Sequence, residues 1–227
     1  MTGSRDRVDT RILVTMDEFR DPDDPLVDPS ARTYPDSLEG YVLISETDLM
    51  DPNFYRTVVV IIQHNEEGAF GLVVNRQSDT TLGEVLEEIG DSPIADIPVY
   101  VGGPVQQEFL FVMHAGLPGM PENENAVSPA PGVVFEPASP ELLAWLTDAW
   151  NSETRDDHPS IHFFAGYCGW GPGQLEDELR EGAWLLHEVR ADIVFHPDPQ
   201  ETWKHALGKK GDFYKIVAET GFKPSMN

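Results

Sequence analysis

Residues 161–184 read IHFFAGYCGWGPGQLEDELREGAW, and this stretch predicts a strand, a glycine turn and a helix in succession. Its first five residues, Ile161–Ala165, are apolar and β-favouring, which is typical of a buried strand. Four glycines follow within residues 166–173, and a run this dense indicates positive φ angles or close backbone approach. Pro172 suits the first position of a helix, and Gly182 suits the position just after its last residue.

This glycine turn has two interpretations, and the sequence leaves both open. A helix start that follows a strand and a turn presents unpaired backbone N–H groups, which suit an anion or a polar ligand. The same turn also lets a helix pack closely on a sheet. The glycine spacing matches neither a Walker loop nor the dinucleotide-binding fingerprint, and Glu176, Asp177 and Glu178 would repel a nearby phosphate.

The composition argues against an electrostatic grip on nucleic acid. The 227 residues include 40 Asp and Glu against 15 Lys and Arg, for a net charge of −25. Residues 1–37 hold 9 acidic and 5 basic residues, and residues 38–227 hold 31 and 10, so the acidity belongs to the main body of the chain. Such a field repels nucleic acid and anionic membranes, so we expect no direct nucleic-acid partner.

Cysteine usage and hydropathy predict the compartment. The single cysteine, Cys168, cannot form an internal disulfide and fits a reducing environment. The apolar run Ile12–Met16 is too short for a secretory signal, and no stretch is long enough to cross a bilayer. We therefore expect a soluble, cytoplasmic protein without membrane contact.

The composition changes near residue 38. Residues 1–37 form an acidic, proline-rich N-terminal extension, in which DPDDPLVDPS (residues 21–30) disfavours both helices and ladder hydrogen bonds. We predict no site there. Residues 38–227 are predicted to form a single α+β domain. It contains a mixed and mostly antiparallel β-sheet, with a barrel-like sheet as an alternative, and helices flank the sheet.

Three apolar runs predict the centre of the sheet. Tyr41–Ser45, Thr57–Gln63 and Phe70–Asn75 are strand candidates, and the glycine-bearing loop between the last two is typical of a hairpin. Val58–Ile62 is apolar throughout, which indicates a strand covered on both faces. We therefore predict that this run and Leu72–Val74 lie on adjacent central strands.

The remaining elements follow from caps and periodicity. Thr81 with Glu84 three residues later is a capping-box pattern, and it predicts a helix that ends at Gly90. Val99–Val105 and Glu108–Ala115 are strand candidates close enough in sequence to pair. The other predictions are a helix start at Asp51–Pro52, a loop at Gly116–Pro131, strands at 132–136, 184–189 and 191–196, and helices at 139–150 and 199–208.

Three long motifs together resemble one bacterial family. The strings DPNFYRTVVVIIQHNEEGAFGLVVNR (51–76), VYVGGPV (99–105) and GYCGWGPGQLEDELREGAW (166–184) are similar to the AlgH family, also called YqgE-like, in content and order. The similarity covers roughly Leu38–Lys210. It implies a single compact α+β domain in a bacterial cytoplasm and no particular reaction. Some family members are labelled transcriptional regulators, but no basic helix or helix-turn-helix is visible in this sequence.

Cys168 is the candidate nucleophile, where the predicted strand enters the glycine turn. A nucleophile elbow requires glycine two residues later, and Trp170 occupies that position. The resemblance implies a small residue such as Ser or Ala where Cys168 stands, which favours a buried, inert thiol. The seven histidines form neither an H-x-H nor an H-E-x-x-H spacing, so we predict no metal and no cofactor.

Asn75 and Arg76 end a predicted central strand, where polar side chains often line a crevice. The alternative is that Arg76 is a solvated strand-end charge. The favoured function is a non-catalytic regulatory or binding protein, with a small polar ligand or a protein partner near the glycine motifs. The alternatives are an enzyme that uses His64, Arg76 or Cys168, and a transcriptional regulator. The predicted ligand-binding residues are His64, Asn75, Arg76, Gly102, Gly103, Pro104, Tyr167, Gly169, Trp170, Gly173 and Gln174.

Overall fold

The computed structural model describes residues 27–120, 123–152, 158–221 and 223, and the predicted α+β class is confirmed there. None of the helices in this part of the chain is long and apolar enough to cross a membrane. The strands are β1 (Tyr41–Ser45), β2 (Val58–Asn65), β3 (Gly68–Val73), β4 (Gln77–Thr81), β5 (Pro98–Val101), β6 (Val105–His114), β7 (Val127–Ala130), β8 (Val133–Pro137), β9 (Ile161–Trp170) and β10 (Trp184–Glu188). The α-helices are α1 (Leu82–Val85), α2 (Pro140–Ser152), α3 (Gln174–Arg180), α4 (Ala191–Val194), α5 (Thr202–Gly208) and α6 (Asp212–Thr220).

The strands form one mixed, mostly antiparallel sheet with β9 at its centre. The order is β10-β1-β2-β3-β9-β6-β8-β7, and β5 pairs in parallel with β9 and antiparallel with β4. β9 therefore contacts β3 and β5 along one edge and β6 along the other. The sheet curls into a half-barrel, so that a Cβ atom built at Gly40, next to β1, would lie 2.9 Å from Pro129 O in β7.

The prediction of the two central strands is confirmed. β2 and β3 pair inside the sheet, with Val59 opposite Val73 and Val60 opposite Leu72. Every residue of Val58–Ile62 is buried, because alternate side chains enter apolar clusters on the two faces of the sheet. The continuous apolar run therefore reflects two covered faces, as expected.

Three apolar clusters hold the sheet and its helices together. The inner cluster fills the curl and includes Val60, Phe164 and Trp203. The outer cluster lies beneath α3 and includes Val59 and Trp184. The third cluster lies beneath α2. Burial of this apolar surface, which contributes about 25 cal/mol per Å², is the main stabilising term of the fold.

The predicted glycine turn at residues 166–173 is wrong in its first half. β9 runs through Gly166 and ends only shortly before α3 begins at Gln174. The strand persists because the link between β5 and β6 crosses it closely. A Cβ atom at Gly166 would lie 2.8 Å from the carbonyl oxygens of both Gly103 and Val105. Glycine in this strand therefore allows a close backbone crossing.

The predicted strand at residues 191–196 is also wrong, because these residues form α4 and the turn after it. Arg190 O accepts hydrogen bonds from the amides of Ile193 at 3.0 Å and Val194 at 3.1 Å. Both apolar side chains still enter the inner cluster. A short apolar run is compatible with either structure, so composition alone could not distinguish them.

Other corrections concern boundaries and pairing. The helix predicted from Thr81 to Gly90 is interrupted at Leu86, whose φ of −119° and ψ of 87° separate α1 from a 3-10 turn at Glu87–Ile89. The predicted loop at Gly116–Pro131 contains β7, and the helix start predicted at Asp51–Pro52 is a series of turns. β5 and β6 do not pair with each other, because each pairs with β9.

The N-terminal extension lies mostly outside the described residues, which begin at residue 27. Its described end packs on α3. Tyr34 Oη donates a hydrogen bond to Leu179 O at 3.1 Å, and a Cβ atom at Gly182 would lie 2.9 Å from Pro29 Cγ. Gly182 follows α3 with a φ of +78°, in keeping with its predicted position after the helix.

Candidate functional site

A polar cleft opens where the chain leaves β3 and turns into β4. We call it the arginine cleft, and its volume is about 530 Å³. The turn after β1, the end of β3, the start of β4 and the link between β5 and β6 all contribute to it. Its lining residues are Pro52, Asn53, Val73, Arg76, Gln77, Val101, Gly103, Pro104 and Gln107.

Arg76 is the one charged residue among the described residues that line this cleft. Its side chain is half-buried, its Nη2 donates to Tyr55 O, and burial lowers the pKa of Arg76 from its usual value. No described carboxylate pairs with it, whereas Arg180 and Arg190 each form an ion pair with an aspartate. Because a guanidinium keeps its proton in proteins, the cleft holds a positive charge that no described acidic side chain neutralises.

Asn75 is buried behind the cleft and has a structural role. Its Oδ1 accepts the amide of Val58 at 2.9 Å, and its Nδ2 donates to Arg56 O at 2.9 Å. These bonds tie the turn that contains residues 52–56 to the end of β3. Asn75 therefore holds one wall of the arginine cleft in place without lining it.

The Gly102-Gly103-Pro104 motif forms another wall by close backbone packing. Val73 N donates to Gly102 O at 2.8 Å, and Gly102 N donates to Ala165 O at 2.9 Å. A Cβ atom at Gly103 would lie 2.1 Å from the carbonyl carbon of Tyr167. Real Cβ atoms do not approach backbone this closely, so the cleft wall and β9 are packed without a gap.

His64 lies at the other end of the β2–β3 hairpin, away from Arg76. Its Nδ1 accepts the amide of Leu38 at 3.1 Å, so Nε2 carries the proton, and this atom lies 3.2 Å from Glu176 Oε1. This contact is not a regular hydrogen bond, and Nε2 has no hydrogen-bond partner among the described residues. The His64 side chain is only 4% exposed. We interpret His64 as a structural residue that connects β2 with Leu38 and with Glu176 of α3.

The start of α3 also lies at that end of the hairpin. Trp170 pairs with Ala69 at the beginning of β3, whereas Arg76 follows the end of β3. Gly171 N donates to Gln174 Oε1 at 3.1 Å, so the chain itself uses this amide. Glu178 accepts hydrogen bonds from Trp170 Nε1 and Gln174 Nε2, each at 3.0 Å. A carboxylate therefore stands near this helix start, and Gly173, its N-cap, does not line the cleft.

Tyr167, Cys168 and Gly169 lie between these two regions within β9. Tyr167 Oη donates to Gln106 Oε1 at 3.0 Å, and Gly169 packs beside the Tyr167 ring. Cys168 is 1% exposed, and burial raises the pKa of its thiol to about 12. A thiol with that pKa stays protonated at neutral pH, so Cys168 is not prepared to act as a thiolate nucleophile.

Of the predicted ligand-binding residues, Arg76, Gly103 and Pro104 line the arginine cleft. Asn75 and Gly102 adjoin it without lining it, and the other predicted residues lie within β9 or at the opposite end of the β2–β3 hairpin. The structure adds Gln77, Gln107 and other lining residues that sequence reasoning missed. Gln77 follows Arg76 directly and carried no separate signal. Gln107 reaches the cleft only because β6 bulges away from β9 after Val105.

A buried polar network elsewhere also escaped the sequence prediction. His114 Nδ1 accepts the amide of Gly116 at 3.1 Å, and its Nε2 donates to Glu136 Oε1 at 2.9 Å. Asn123 Nδ2 donates to Glu136 Oε2 at 2.5 Å. Burial lowers the pKa of His114, which keeps the imidazole neutral and its acceptor nitrogen available. The network links the end of β6 with β8 and with Asn123. No group of three His, Cys, Asp or Glu side chains among the described residues is placed to hold a metal ion.

Comparisons with known proteins identify relatives along most of the chain. Residues 42–215 match a family model described as AlgH-like. A UPF0301 protein of Streptomyces coelicolor is 38% identical over 204 residues, which cover 87% of this chain and 100% of that protein. The solution structure of the AlgH protein from Pseudomonas aeruginosa is 30% identical with a TM-score of 0.64, and the match covers 86% of this chain and 98% of that one. A crystal structure from Corynebacterium diphtheriae has the same TM-score of 0.64 at 22% identity, covering 83% of this chain and 95% of that one, and shows likeness of fold alone.

Proposed function

Since this chain belongs to the AlgH-like family, we propose that it is a non-catalytic binding or regulatory protein that holds a small polar anion in the arginine cleft. The observation that carries the proposal is Arg76. Acidic residues outnumber basic ones 40 to 15, so a surface arginine in this chain has many carboxylates available to it. Arg76 instead lies half-buried in a cleft whose other described lining residues are uncharged.

The size and lining of the cleft suggest the class of ligand. A volume of about 530 Å³ lies within the range of small-molecule sites. A guanidinium pairs with carboxylate or phosphate through two parallel hydrogen bonds. The amides of Asn53, Gln77 and Gln107 offer donors and acceptors that suit hydroxyl or amide groups on the same molecule. The net charge of −25 opposes a long polyanion, so the favoured ligand is a small phosphorylated or carboxylated metabolite.

The non-catalytic part of the proposal is supported by the state of the candidate reactive groups. Cys168 is a buried, protonated thiol, and His64 is almost fully buried against Glu176. Neither lines the arginine cleft with Arg76. We further infer that residues 38–227 are the folded domain and that the protein acts in the cytoplasm, as its composition suggests.

A thermal-shift screen tests the proposal. The full chain is mixed with a panel of nucleotides, sugar phosphates and carboxylates, in parallel with Arg76→Ala, Arg76→Lys and the control Arg180→Ala. Arg180 is an exposed arginine paired with Asp177 at 2.5 Å and lies on α3, so its loss changes the net charge equally. A ligand at 100 times its Kd stabilises the protein by about 2.7 kcal/mol.

We expect at least one ligand whose stabilisation persists in Arg180→Ala and disappears in Arg76→Ala. Arg76→Lys keeps the charge without the planar fork, so it should weaken binding roughly tenfold. A panel without any Arg76-dependent stabilisation, or one in which both alanine variants lose the response equally, would contradict the proposal.

A further inference from the structure

A second concave surface lies on the other side of β6. It is a groove of about 630 Å³ between β6, α2 and the 3-10 turn after α1, and we call it the apolar groove. Most of its lining is aliphatic or aromatic, with glutamates at Glu88 and Glu108 and hydroxyls at Ser92 and Thr147. The apolar part of the lining includes Leu86, Ile89, Phe109, Phe111 and Leu143.

Phe109 is the most exposed aromatic part of this lining. Phe109 is 50% exposed, although most large apolar residues in the described part of the chain are buried. The exposure results from a bulge in β6. The step from Val105 to Leu110 in β6 spans only Tyr167 to Ala165 in β9, so the residues between are pushed out of the ladder. An aromatic side chain held outward by the backbone is typical of a contact surface.

The charge at the edge of the groove indicates the sign of the charge that a partner would carry there. Glu88 and Glu108 are exposed, and neither forms an ion pair with a described residue. A second copy of the chain would bring a net charge of −25 against these carboxylates. Like charges across an interface cost several kcal/mol, so self-association through this groove is disfavoured.

We propose that the apolar groove binds an amphipathic helix of a partner protein whose apolar face carries flanking Lys or Arg residues. Helices bind in grooves of this kind through side chains at positions i, i+3, i+4 and i+7. In this arrangement the apolar side chains cover Phe109, Ile89 and Leu143, and the cations approach Glu88 and Glu108. The surface is separate from the arginine cleft, so the proposal does not depend on the proposed anion.

The test is a selection from a random 16-residue peptide library displayed on phage, with the full-length protein as target. The selected peptides are then synthesised, labelled and measured by fluorescence anisotropy. Phe109→Ala removes the aromatic contact, and the pair Glu88→Lys and Glu108→Lys reverses the charge at the groove. The control for the aromatic contact is Ile216→Ala on α6, where Ile216 is 48% exposed. The control for the charge reversal is the pair Glu181→Lys and Glu219→Lys, which changes the net charge by the same amount at two exposed residues outside the groove.

We expect selected peptides with apolar residues at helical spacing and flanking Lys or Arg. Their affinity should fall at least about tenfold in Phe109→Ala and in the charge-reversed protein, and should change by less than about twofold in the controls. Circular dichroism of each variant separates a lost contact from a lost fold.

The proposal is overturned if the selected peptides are acidic or lack the helical spacing, or if Phe109→Ala binds them as well as the wild type does. It is also overturned if sedimentation shows a dimer that Phe109→Ala dissociates, because the groove would then accept a second copy of this chain.

Discussion

The arginine cleft and the apolar groove lie on the two sides of the same bulge in β6, and they are built differently. Gln107 lines the cleft, and Glu108 and Phe109 line the groove. One wall of the cleft, at Gly103, is backbone that packs on β9 without a gap. The groove is bounded by side chains from separate elements. Backbone packing limits how far a surface can adjust, whereas side chains can change rotamer, so the cleft suits one small ligand and the groove suits a varied helix.

The two regions also differ in the charge they present. The cleft offers an arginine without a described carboxylate partner, and the groove offers two carboxylates without a described cation. In a chain with a net charge of −25, exposed carboxylates are ordinary, and the distinctive feature of the cleft is a half-buried arginine without a described carboxylate partner. The comparison teaches that the charged groups within each surface, together with the net charge of the chain, decide what that surface can attract.

Gly103→Ala should have the largest effect, because Gly103 lies where the wall of the cleft packs most closely on β9. The added Cβ would lie 2.1 Å from the carbonyl carbon of Tyr167, so we expect a loss of at least roughly 3 kcal/mol in the free energy of unfolding. Gly90 borders the groove with a φ of +45° and nothing within 4 Å of its Cβ position, so Gly90→Ala should cost only roughly 1–2 kcal/mol of backbone strain. Urea denaturation measures both, and equal losses would show that the cleft wall yields as easily as the groove.

The buried imidazole of His162 should make the stability of the protein depend on pH. Burial lowers the pKa of His162 to about 4, and its ring stacks on Tyr100 with centroids 4.4 Å apart. The unfolded chain, with a histidine pKa near 6.5, binds a proton in a range where folded His162 does not. The contribution of neutral His162 to the free energy of unfolding is therefore fully present above about pH 6.5. It is lost as the pH falls through about 4, and the loss amounts to roughly 3 kcal/mol in total.

His162→Phe should remove most of this slope, as measured by urea denaturation at several pH values. His114 contributes a slope of the same sign, since burial also lowers its pKa, and it remains in the variant as an internal reference. Binding of either ligand class at pH 5 should persist while the protein is folded, because His162 lines neither surface. Identical slopes in both proteins would contradict the assignment.

Cys168→Ser should have a smaller effect. The thiol lies 3.5 Å from Gly102 O behind the cleft, and a serine hydroxyl can donate to the same oxygen. We expect a loss of about 1 kcal/mol in the free energy of unfolding, with the fold and any cellular phenotype retained. Anion binding measured by thermal shift should be unchanged. Loss of function in a well-folded Cys168→Ser protein would contradict this prediction and make Cys168 a candidate reactive residue again.

The smallest expected effect is that of a substitution in one surface on the affinity of the other surface. Arg76→Ala should leave peptide affinity in the groove within about twofold, and Phe109→Ala should leave anion affinity in the cleft within about twofold. Arg76 lines the cleft and Phe109 lines the groove, and the described linings of the two surfaces have no residue in common. A larger crossed effect in anisotropy or calorimetry would show that Gln106–Phe109 couples cleft to groove.

Local patterns allowed much of the fold to be predicted. β1 has the predicted bounds Tyr41–Ser45, and Val58–Ile62 lies on the predicted central strand. Ser139 Oγ accepts the amide of Leu142 at 3.1 Å at the start of α2, as a cap should. α6 was missed although Tyr214, Val217 and Ala218 are buried at helical spacing, so that signal was present and unused.

Within the candidate site, the sequence by itself determined that Arg76 follows an apolar central strand and that few cations stand among many carboxylates. It also determined the family, through motifs long enough to be distinctive. Each of these properties is carried by neighbouring residues or by composition. These properties can be recognised without knowledge of any contact between distant residues.

Only the tertiary structure decided which motifs meet. β9 reaches from Ala69 and Gly71 in β3 to His114 in β6, and these pairings join residues far apart in the sequence. They place Gly103 against β9 beside Arg76 and leave Trp170 at the opposite end of the hairpin. Strand pairing depends on backbone hydrogen bonds between distant segments and on the packing that sets their register. Neither produces a pattern within a short stretch of sequence, so local patterns could not predict which strands pair.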